Sequence, residues 1–274
     1  MDREIEVHID WDGATRPVGR LWARTKGARQ TCSFAYDVAW LGLGGAFPLD
    51  PNLPLVRGDA HWDGGIFNAF SDPAPDRWGR SLMGRRERAL AKAEGRTPRT
   101  LMEADFLMLV EDQTRLGALR FRDQGAEACQ AADAHPVPPL IALPKLLAAA
   151  RRVIDDKETD EDLRLLLAPG SSLGGARPKA SVLGSEGQLM MAKFPSQTDD
   201  WPIPLWESVA MTLAERAGVG VPRFQLRHVA KRPVLLMARF DRTADGHRRT
   251  FCSALTALGA ADGETRSYLE LVDV

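Results

Sequence analysis

The stretch Gly170-Ser-Ser-Leu-Gly-Gly-Ala-Arg-Pro-Lys179 decides the fold of the second half of the chain. It is a run of small, polar and flexible residues between a predicted helix and a predicted β-hairpin. Gly174 and Gly175 carry no Cβ atom, so backbone N–H groups there can turn outward and approach an anion closely. The serine pair that ends at Ser172 adds two hydroxyl groups, and Lys179 adds a cation. This composition is typical of a loop that binds phosphate.

The segment after this glycine loop has the order of elements that opens a protein kinase domain. The turn Gly184-Ser-Glu-Gly187 joins two predicted strands, of which the second, Leu189 to Phe194, is apolar except for Lys193. A helix predicted from Pro204 carries Glu207 in its first turn. In a kinase such a lysine reaches the α- and β-phosphates of ATP, and the helix glutamate holds it in place. We therefore predict an ion pair between Lys193 and Glu207.

Other nucleotide-binding folds fit the glycine loop less well. A P-loop requires lysine where Ala176 stands, and the three-glycine Rossmann pattern cannot be drawn through the segment. The plainer alternatives are that the segment is a connecting loop, that Lys193 extends its ammonium from the surface, and that Glu207 serves only the helix dipole. These alternatives stay open.

Length, charge and cysteine content narrow the class of protein. The 274 residues suffice for two domains, and the net charge of −1 gives no basic field that would draw the chain onto nucleic acid or membrane. The three cysteines are far apart, and no histidine lies at ligand spacing from them, so neither a disulfide framework nor a metal site is expected. The charged N-terminus is unlike a signal peptide, and no apolar run approaches the roughly 20 residues of a membrane span. We expect a cytoplasmic protein.

The first half of the chain is predicted to be rich in β-structure. Alternating apolar and polar residues from Ile5 to Trp11 are typical of a half-buried strand, and two further strands complete an antiparallel meander. A Gly- and Pro-rich stretch over residues 41–65 is predicted to be mostly loop. The remaining predicted elements are a helix capped by Asp76, a helix opened by a capping box at Thr100-Leu-Met-Glu103, strands at 116–122, 224–229 and 234–240, and helices at 140–153, 160–167, 253–259 and 267–274.

Several segments form a set that occurs together in one protein family. In the second half they are the glycine loop, Ala192-Lys-Phe-Pro195, Trp206-Glu207 and Arg239-Phe-Asp-Arg242. In the first half they are Val18-Gly-Arg-Leu21, Phe34-Ala-Tyr36 and Phe67-Asn-Ala-Phe70. Over nearly its whole length, the chain resembles the HipA family of bacterial toxin kinases. The glycine loop and the Arg-Phe-Asp-Arg segment are the most specific pieces.

The resemblance implies a serine/threonine protein kinase that acts as the toxin of a toxin–antitoxin module. Its partner would be a small HipB-like DNA-binding antitoxin, so that contact with DNA is indirect, and its target would be a protein such as an aminoacyl-tRNA synthetase. ATP and Mg²⁺ would be bound, and Ser172 would be autophosphorylated. Taken with the loop residues, the expected ATP-binding set is Ser172, Gly174, Gly175, Lys179, Lys193, Asp241, and Ala238 and Phe240 through their backbones, with Glu207 positioning the lysine.

The catalytic segments of the family do not occur in this sequence. A kinase needs an aspartate to accept the proton of the substrate hydroxyl, and further side chains to hold Mg²⁺. In the family these lie after the hinge, the segment that meets adenine and that ends at Phe240 in this chain. Only residues 241–274 follow Phe240 here. A helical C-lobe needs on the order of 100 residues to form a core. We therefore expect the catalytic residues and metal ligands to lie outside this chain. The chain is then either a fragment of a longer kinase or a naturally short chain, and we expect no kinase activity from it alone.

The expected fold class is α+β, with a β-rich N-terminal subdomain with helices followed by a protein-kinase-like N-lobe. The expected domains are residues 1–125 for the subdomain, 126–165 for a linker with helices, and 166–274 for the N-lobe. The competing hypothesis is a non-catalytic module that binds an antitoxin or a separate kinase C-lobe.

The sequence allows two roles each for Asp241 and for a run of basic residues in the first half of the chain. Asp241 either reaches a ribose hydroxyl or pairs with Arg242. The run of basic residues between Arg77 and Arg99 is either a solvated helix face or a contact for nucleic acid or an acidic partner.

Overall fold

The computed structural model describes residues 2–129, 136–167, 175–196, 199–261 and 263–274 of the chain. The chain divides into two compact units. The first contains Met1–Ala74, Thr100–Ala132 and His247–Val274, and the second contains Pro75–Arg99 and Asp133–Gly246. Each unit is built from segments that are far apart in sequence, unlike the three consecutive domains expected from the sequence.

Both units combine antiparallel strands with helices, which confirms the α+β fold class. In chain order the elements are β1 (Arg3–Trp11), β2 (Ala14–Lys26), β3 (Arg29–Tyr36), α1 (Val38–Leu41), β4 (Asp59–Trp62), α2 (Asn68–Ser71), α3 (Arg77–Ala93), α4 (Glu103–Leu109), β5 (Leu119–Asp123), α5 (Leu143–Ile154), α6 (Asp160–Leu167), β6 (Lys179–Leu183), β7 (Leu189–Lys193), α7 (Ile203–Arg216), β8 (Phe224–Val229), β9 (Arg232–Ala238) and α8 (Ala254–Ala257). Short 3₁₀ turns lie at Asp112–Thr114, Leu140–Ala142 and Glu270–Val272.

A five-stranded antiparallel sheet in the order β4-β3-β2-β1-β5 forms the centre of the first unit. Ile5, Val7 and Ile9 of β1 are at most 1% exposed, while the polar residues between them are half-buried, as the alternation predicts. Asp12 and Gly13 join β1 to β2 with φ values of 51° and 74°, the conformation of a tight hairpin turn. The predicted meander is confirmed.

One short strand of this sheet lies within the stretch predicted to be mostly loop. β4 pairs with β3 and brings Trp62 opposite Cys32, while the rest of residues 42–65 is loop, as predicted. β4 is a four-residue edge strand in which only Ala60 and Trp62 are half-buried. Such a short edge strand needs few apolar residues, so its sequence shows only a weak strand pattern between the glycines that flank it.

Helix α4 begins later than its predicted capping box. Its N-cap is Met102, whose N–H donates to the Asp105 carboxylate at 3.0 Å. The side chain of Gln30 also accepts from the N–H of Ala104 at 3.0 Å. The box predicted at Thr100 and Glu103 was therefore wrong, because a side chain from a distant strand satisfies the first helical turn.

The segment 247–274 packs within the first unit rather than extending the kinase-like lobe. One oxygen of Asp72 accepts from the N–H of Ser253 at 2.8 Å and from the hydroxyl of Thr256 at 2.9 Å. The helix predicted over residues 267–274 was wrong, since only the 3₁₀ turn Glu270–Val272 forms there. Leu269, Val272 and Val274 are exposed, so no continuous packed face stabilises a longer helix.

The second unit contains a four-stranded antiparallel sheet in the order β6-β7-β9-β8. Trp78 and Leu82 of α3 share one apolar core with Leu146 of α5, Leu163 of α6 and Val182 of β6. The helix α7 packs against β8 and β9. The predicted hairpin and the predicted helices at 140–153 and 160–167 are confirmed.

An ion pair joins α5 to α6. The Nε atom of Arg152 donates to the Asp162 carboxylate at 2.7 Å, and the N–H of Thr159 donates to the same oxygen at 2.9 Å. These donors, chiefly Arg152, lower the pKa of Asp162 from 3.8 to about 2, because they stabilise the charged form.

Asp162→Asn is expected to lower the free energy of unfolding at pH 7 by about 1–2 kcal/mol. The loss is modest because the Arg152 side chain is 45% exposed, so water screens its interaction with Asp162. Since the folded pKa is the lower one, this stabilisation is complete above the unfolded pKa near 3.8 and disappears as the pH falls toward 2. Urea unfolding of both proteins between about pH 2 and 7, followed by circular dichroism, checks this expectation. A stability difference that does not change with pH would contradict it.

Candidate functional site

The β6–β7 hairpin brings two lysines together. The hairpin closes through Gly184, whose N–H donates to the carbonyl of Gln188 at 2.8 Å. Its register places Lys179 directly opposite Lys193. Side chains of opposite residues lie on the same face of an antiparallel pair, so both ammonium groups extend to one side of the sheet.

Lys193 forms the ion pair that the sequence predicts. Its Nζ atom contacts Oε1 of Glu207, on the helix that follows β7. The Lys193 side chain is 26% exposed and that of Glu207 is 30% exposed, so water or an anion can reach the pair. The plain alternatives, a lone surface lysine and a glutamate that serves only the helix dipole, do not describe this arrangement.

Lys179 has a different partner and a different environment. Its Nζ atom lies 2.6 Å from Oδ2 of Asp76, and both side chains are only 4% exposed. The same ammonium donates to the carbonyl of Gly175 at 3.2 Å. Asp76 is also the predicted N-cap of α3, and its other oxygen accepts from the N–H of Gly79 at 2.8 Å. The sequence predicts the cap but gives no signal for the ion pair.

The strand β9 leads into the predicted hinge. The N–H of Ala238 donates to the carbonyl of Arg223 at 2.8 Å, so this donor is already used within the unit. Phe240 follows with half of its surface exposed.

Asp241 lies in the interior between two arginines. Its carboxylate contacts Arg239 at 2.6 Å and Arg242 at 2.5 Å, and none of it is exposed. Of the two roles left open for Asp241, pairing with Arg242 is present in the structure.

Part of the glycine loop lies within the described residues. Gly175 has a φ of 91°, a left-handed conformation that favours glycine, and a Cβ atom there would lie 3.7 Å from Nζ of Lys179. Ser171, Ser172 and Gly174 lie outside the described residues.

The run of basic residues from Arg77 to Arg99, which begins on α3 and continues past its end, uses several of its charges within its own unit. Arg85 pairs with Asp156 at 2.6 Å and with Glu158 at 2.7 Å. Arg96 pairs with Glu87 at 2.5 Å, and the N–H of Arg99 donates to the same carboxylate at 2.7 Å. These pairs favour a structural role for the run over a contact with nucleic acid.

Neither a cluster of metal-ligating side chains nor a helix able to span a membrane occurs among the described residues. Within the described ranges, no three His, Cys, Asp or Glu side chains are grouped so that they could hold a metal ion. Among the helices that the structure describes, none combines the length and apolar character needed to cross a membrane.

Comparison with known proteins connects this geometry to a family. A family model described as the HipA N-terminal domain matches residues 10–103, and one described as the HipA-like C-terminal domain matches residues 171–274. The chain belongs to the HipA family. The expected resemblance is thereby confirmed over both halves of the sequence.

Two relatives show how far the similarity extends. The protein named "Putative kinase Y4mE" from Sinorhizobium fredii is 28% identical over an alignment 282 residues long, and the alignment covers 91% of this chain and 59% of that protein. A chain of the HipA, HipB and operator DNA complex from Shewanella oneidensis MR-1 matches with a TM-score of 0.57 and 18% identity, over 98% of this chain and 61% of that one. The structural match shows a shared HipA fold. The chain spans about three-fifths of the length of each relative.

Asp241→Asn is expected to destabilise the second unit strongly, by on the order of 3–5 kcal/mol, because the buried guanidinium of Arg239 loses its carboxylate. Chemical unfolding followed by circular dichroism measures the change. Asp200→Asn, at an exposed position, serves as the control and should change stability by less than about 0.5 kcal/mol. Equal stabilities of the two variants would contradict the expectation.

Proposed function

We propose that this chain carries the ATP-binding lobe of a HipA-type serine/threonine protein kinase toxin. The observation that supports this most strongly is the ion pair between Lys193 and Glu207, on a strand and the helix that follows it. In kinases this arrangement holds the lysine against the α- and β-phosphates of ATP. The kinase name of the relative from Sinorhizobium fredii points the same way.

ATP would be held by contacts from three elements. Lys193 would donate from its partly exposed ammonium to the phosphates, with Glu207 fixing its position. The glycine loop, through the backbone N–H groups near Gly174 and Gly175, would surround the phosphates. Adenine would meet the backbone at the end of β9, near Phe240; the N–H of Ala238 already donates to the carbonyl of Arg223, so it would not be the donor to adenine.

Phosphoryl transfer also needs Mg²⁺ and an acceptor for the proton of the substrate hydroxyl. We expect the ligands of Mg²⁺ outside the 274 residues, as the family resemblance implies. The catalytic loop of the family does not occur in the 274 residues. The proposal for the chain by itself is therefore nucleotide binding without phosphoryl transfer.

The proposed biological role is that of a cytoplasmic toxin paired with an antitoxin. The structural relative belongs to a complex with HipB and operator DNA, which supports a HipB-like antitoxin as the partner of this chain. The net charge of −1 gives no basic field for DNA, so contact with an operator would pass through the antitoxin. The proposed substrate is a protein, an aminoacyl-tRNA synthetase, and Ser172 is the proposed site of autophosphorylation.

Titration of the full chain with the fluorescent analogue trinitrophenyl-ATP and Mg²⁺ is expected to show weak binding. Lys193→Met should reduce the affinity about 10- to 100-fold, since a charge-assisted hydrogen bond is worth about 1.5–3 kcal/mol. Glu207→Gln should have a smaller effect, because the ammonium remains. Lys145→Met, which changes an exposed lysine of α5, is the matched control and should bind as the unmodified chain does. Absence of binding, or equal affinities with and without Lys193, would contradict the proposal.

A non-catalytic binding module is the second candidate, and the surface of α7 favours it. Leu205, Trp206, Val209 and Leu213 of this helix are 38%, 56%, 39% and 58% exposed. An apolar helix face of this kind is typical of a docking surface. Under this hypothesis, the apolar face of α7 binds the remaining portion of a HipA protein, the part beyond the three-fifths that the relatives share with this chain.

The double substitution Trp206→Ser and Leu213→Ser separates this role from folding. Both side chains are exposed, so the free energy of unfolding should change by less than about 1 kcal/mol. Binding to a separately expressed C-terminal lobe of a HipA protein should weaken at least 10-fold, as measured by calorimetry. Unchanged binding of that lobe, or none by the unmodified chain, would contradict the module.

A further inference from the structure

Two lysine–carboxylate pairs lie side by side in the second unit, and they differ in exposure. Lys179 and Asp76 are each 4% exposed, whereas Lys193 and Glu207 are 26% and 30% exposed. Lys179 and Lys193 are opposite each other in the hairpin. Only one of the two ammonium groups is therefore accessible to a ligand.

The first turn of α3 holds both the side chain and the backbone of Lys179. Asp76 Oδ2 accepts from the ammonium at 2.6 Å, and the indole N–H of Trp78 donates to the Lys179 carbonyl at 3.1 Å. The ammonium in turn donates to the carbonyl of Gly175 at 3.2 Å. These contacts connect the helix to the end of the glycine loop and to the first residue of β6.

We propose that Asp76 is a positioning residue for the nucleotide site, acting through Lys179. By holding Lys179 in the interior, Asp76 fixes the segment 175–179 beside β7 and leaves Lys193 as the lysine presented to phosphate. This inference rests on the proposed function, and it assigns the expected ATP-binding residue Lys179 to support of the loop rather than to contact with ATP. Asp76 lies in the region matched by the HipA N-terminal model, so that region completes the site.

Electrostatics supports this division of roles. Burial raises the pKa of Asp76 and lowers the pKa of Lys179, so each group requires the other in order to stay charged. Lys193, opposite Lys179 in the hairpin, lowers the pKa of Lys179 further through the repulsion of its charge. Without Asp76, Lys179 would be a buried charge without its carboxylate, next to a second cation.

Asp76→Asn is the informative variant, because asparagine keeps the acceptor for the N–H of Gly79 and so preserves the helix cap. Lys179→Met and the double variant Asp76→Asn/Lys179→Met complete a double-mutant cycle. Glu94→Gln, at an exposed position after α3, is the control. All are made in the full chain and studied at a temperature where each remains folded. The readouts are backbone hydrogen exchange over residues 175–183 and the affinity for trinitrophenyl-ATP with Mg²⁺.

Asp76→Asn is expected to speed exchange over residues 175–183 at least 10-fold and to weaken binding of the analogue about 10-fold. The double variant is expected to recover to within about 3-fold of the unmodified affinity, because no buried charge is left without its partner. Such recovery is not expected of a lysine that touches the phosphates.

Three results would overturn the inference or part of it. Unchanged exchange in Asp76→Asn would show that the pair does not hold the loop. Weak binding by Lys179→Met without recovery in the double variant would show that Lys179 itself contacts phosphate. Absence of binding by every variant and by the unmodified chain would remove the proposed function and the nucleotide role of Asp76 with it, while hydrogen exchange would still decide whether Asp76 holds the loop.

Discussion

The register of the β6–β7 hairpin is the constraint on which the candidate site depends. It places Lys179 opposite Lys193, and like charges on directly opposite residues destabilise a sheet unless each is neutralised. The chain supplies one carboxylate from each of two helices, Asp76 at the start of α3 and Glu207 in α7. The positions of α3 and α7 at the sheet thus allow the two neighbouring cations to be neutralised separately.

The two pairs differ in their exposure to water, so we expect them to respond differently to a ligand. A pair that is about a quarter exposed holds its partners weakly, so an anion can take over part of the interaction with Lys193 at little cost. The pair between Asp76 and Lys179 is almost completely buried, and separating it would strand two charges away from water. A single hairpin therefore contains one cation that is available to a phosphate and one that is fixed in the structure.

The features that the sequence predicted correctly are those that depend on neighbours along the chain. Alternation predicted β1 to β3, turn residues predicted the hairpin, and the ion pair between Lys193 and Glu207 joins residues only 14 positions apart. The features that the sequence did not predict are contacts between segments that are far apart along the chain. Lys179 is 103 residues from Asp76, and Ser253 is 181 residues from Asp72, so no local pattern records either contact.

The helix α3 shows why sequence-defined domains and physical units differ here. The family models end at residue 103 and resume at 171, which assigns α3 to the N-terminal domain. Its apolar residues Trp78 and Leu82 nevertheless share a core with the sheet that contains Lys193 and with the helices α5 and α6. Burial of a tryptophan and a leucine contributes roughly 1.5–3 kcal/mol for each side chain, a large part of the stability of a small unit. The lobe that presents Lys193 therefore requires residues 75–99, and a segment that begins at the glycine loop lacks both part of its core and the carboxylate that neutralises Lys179.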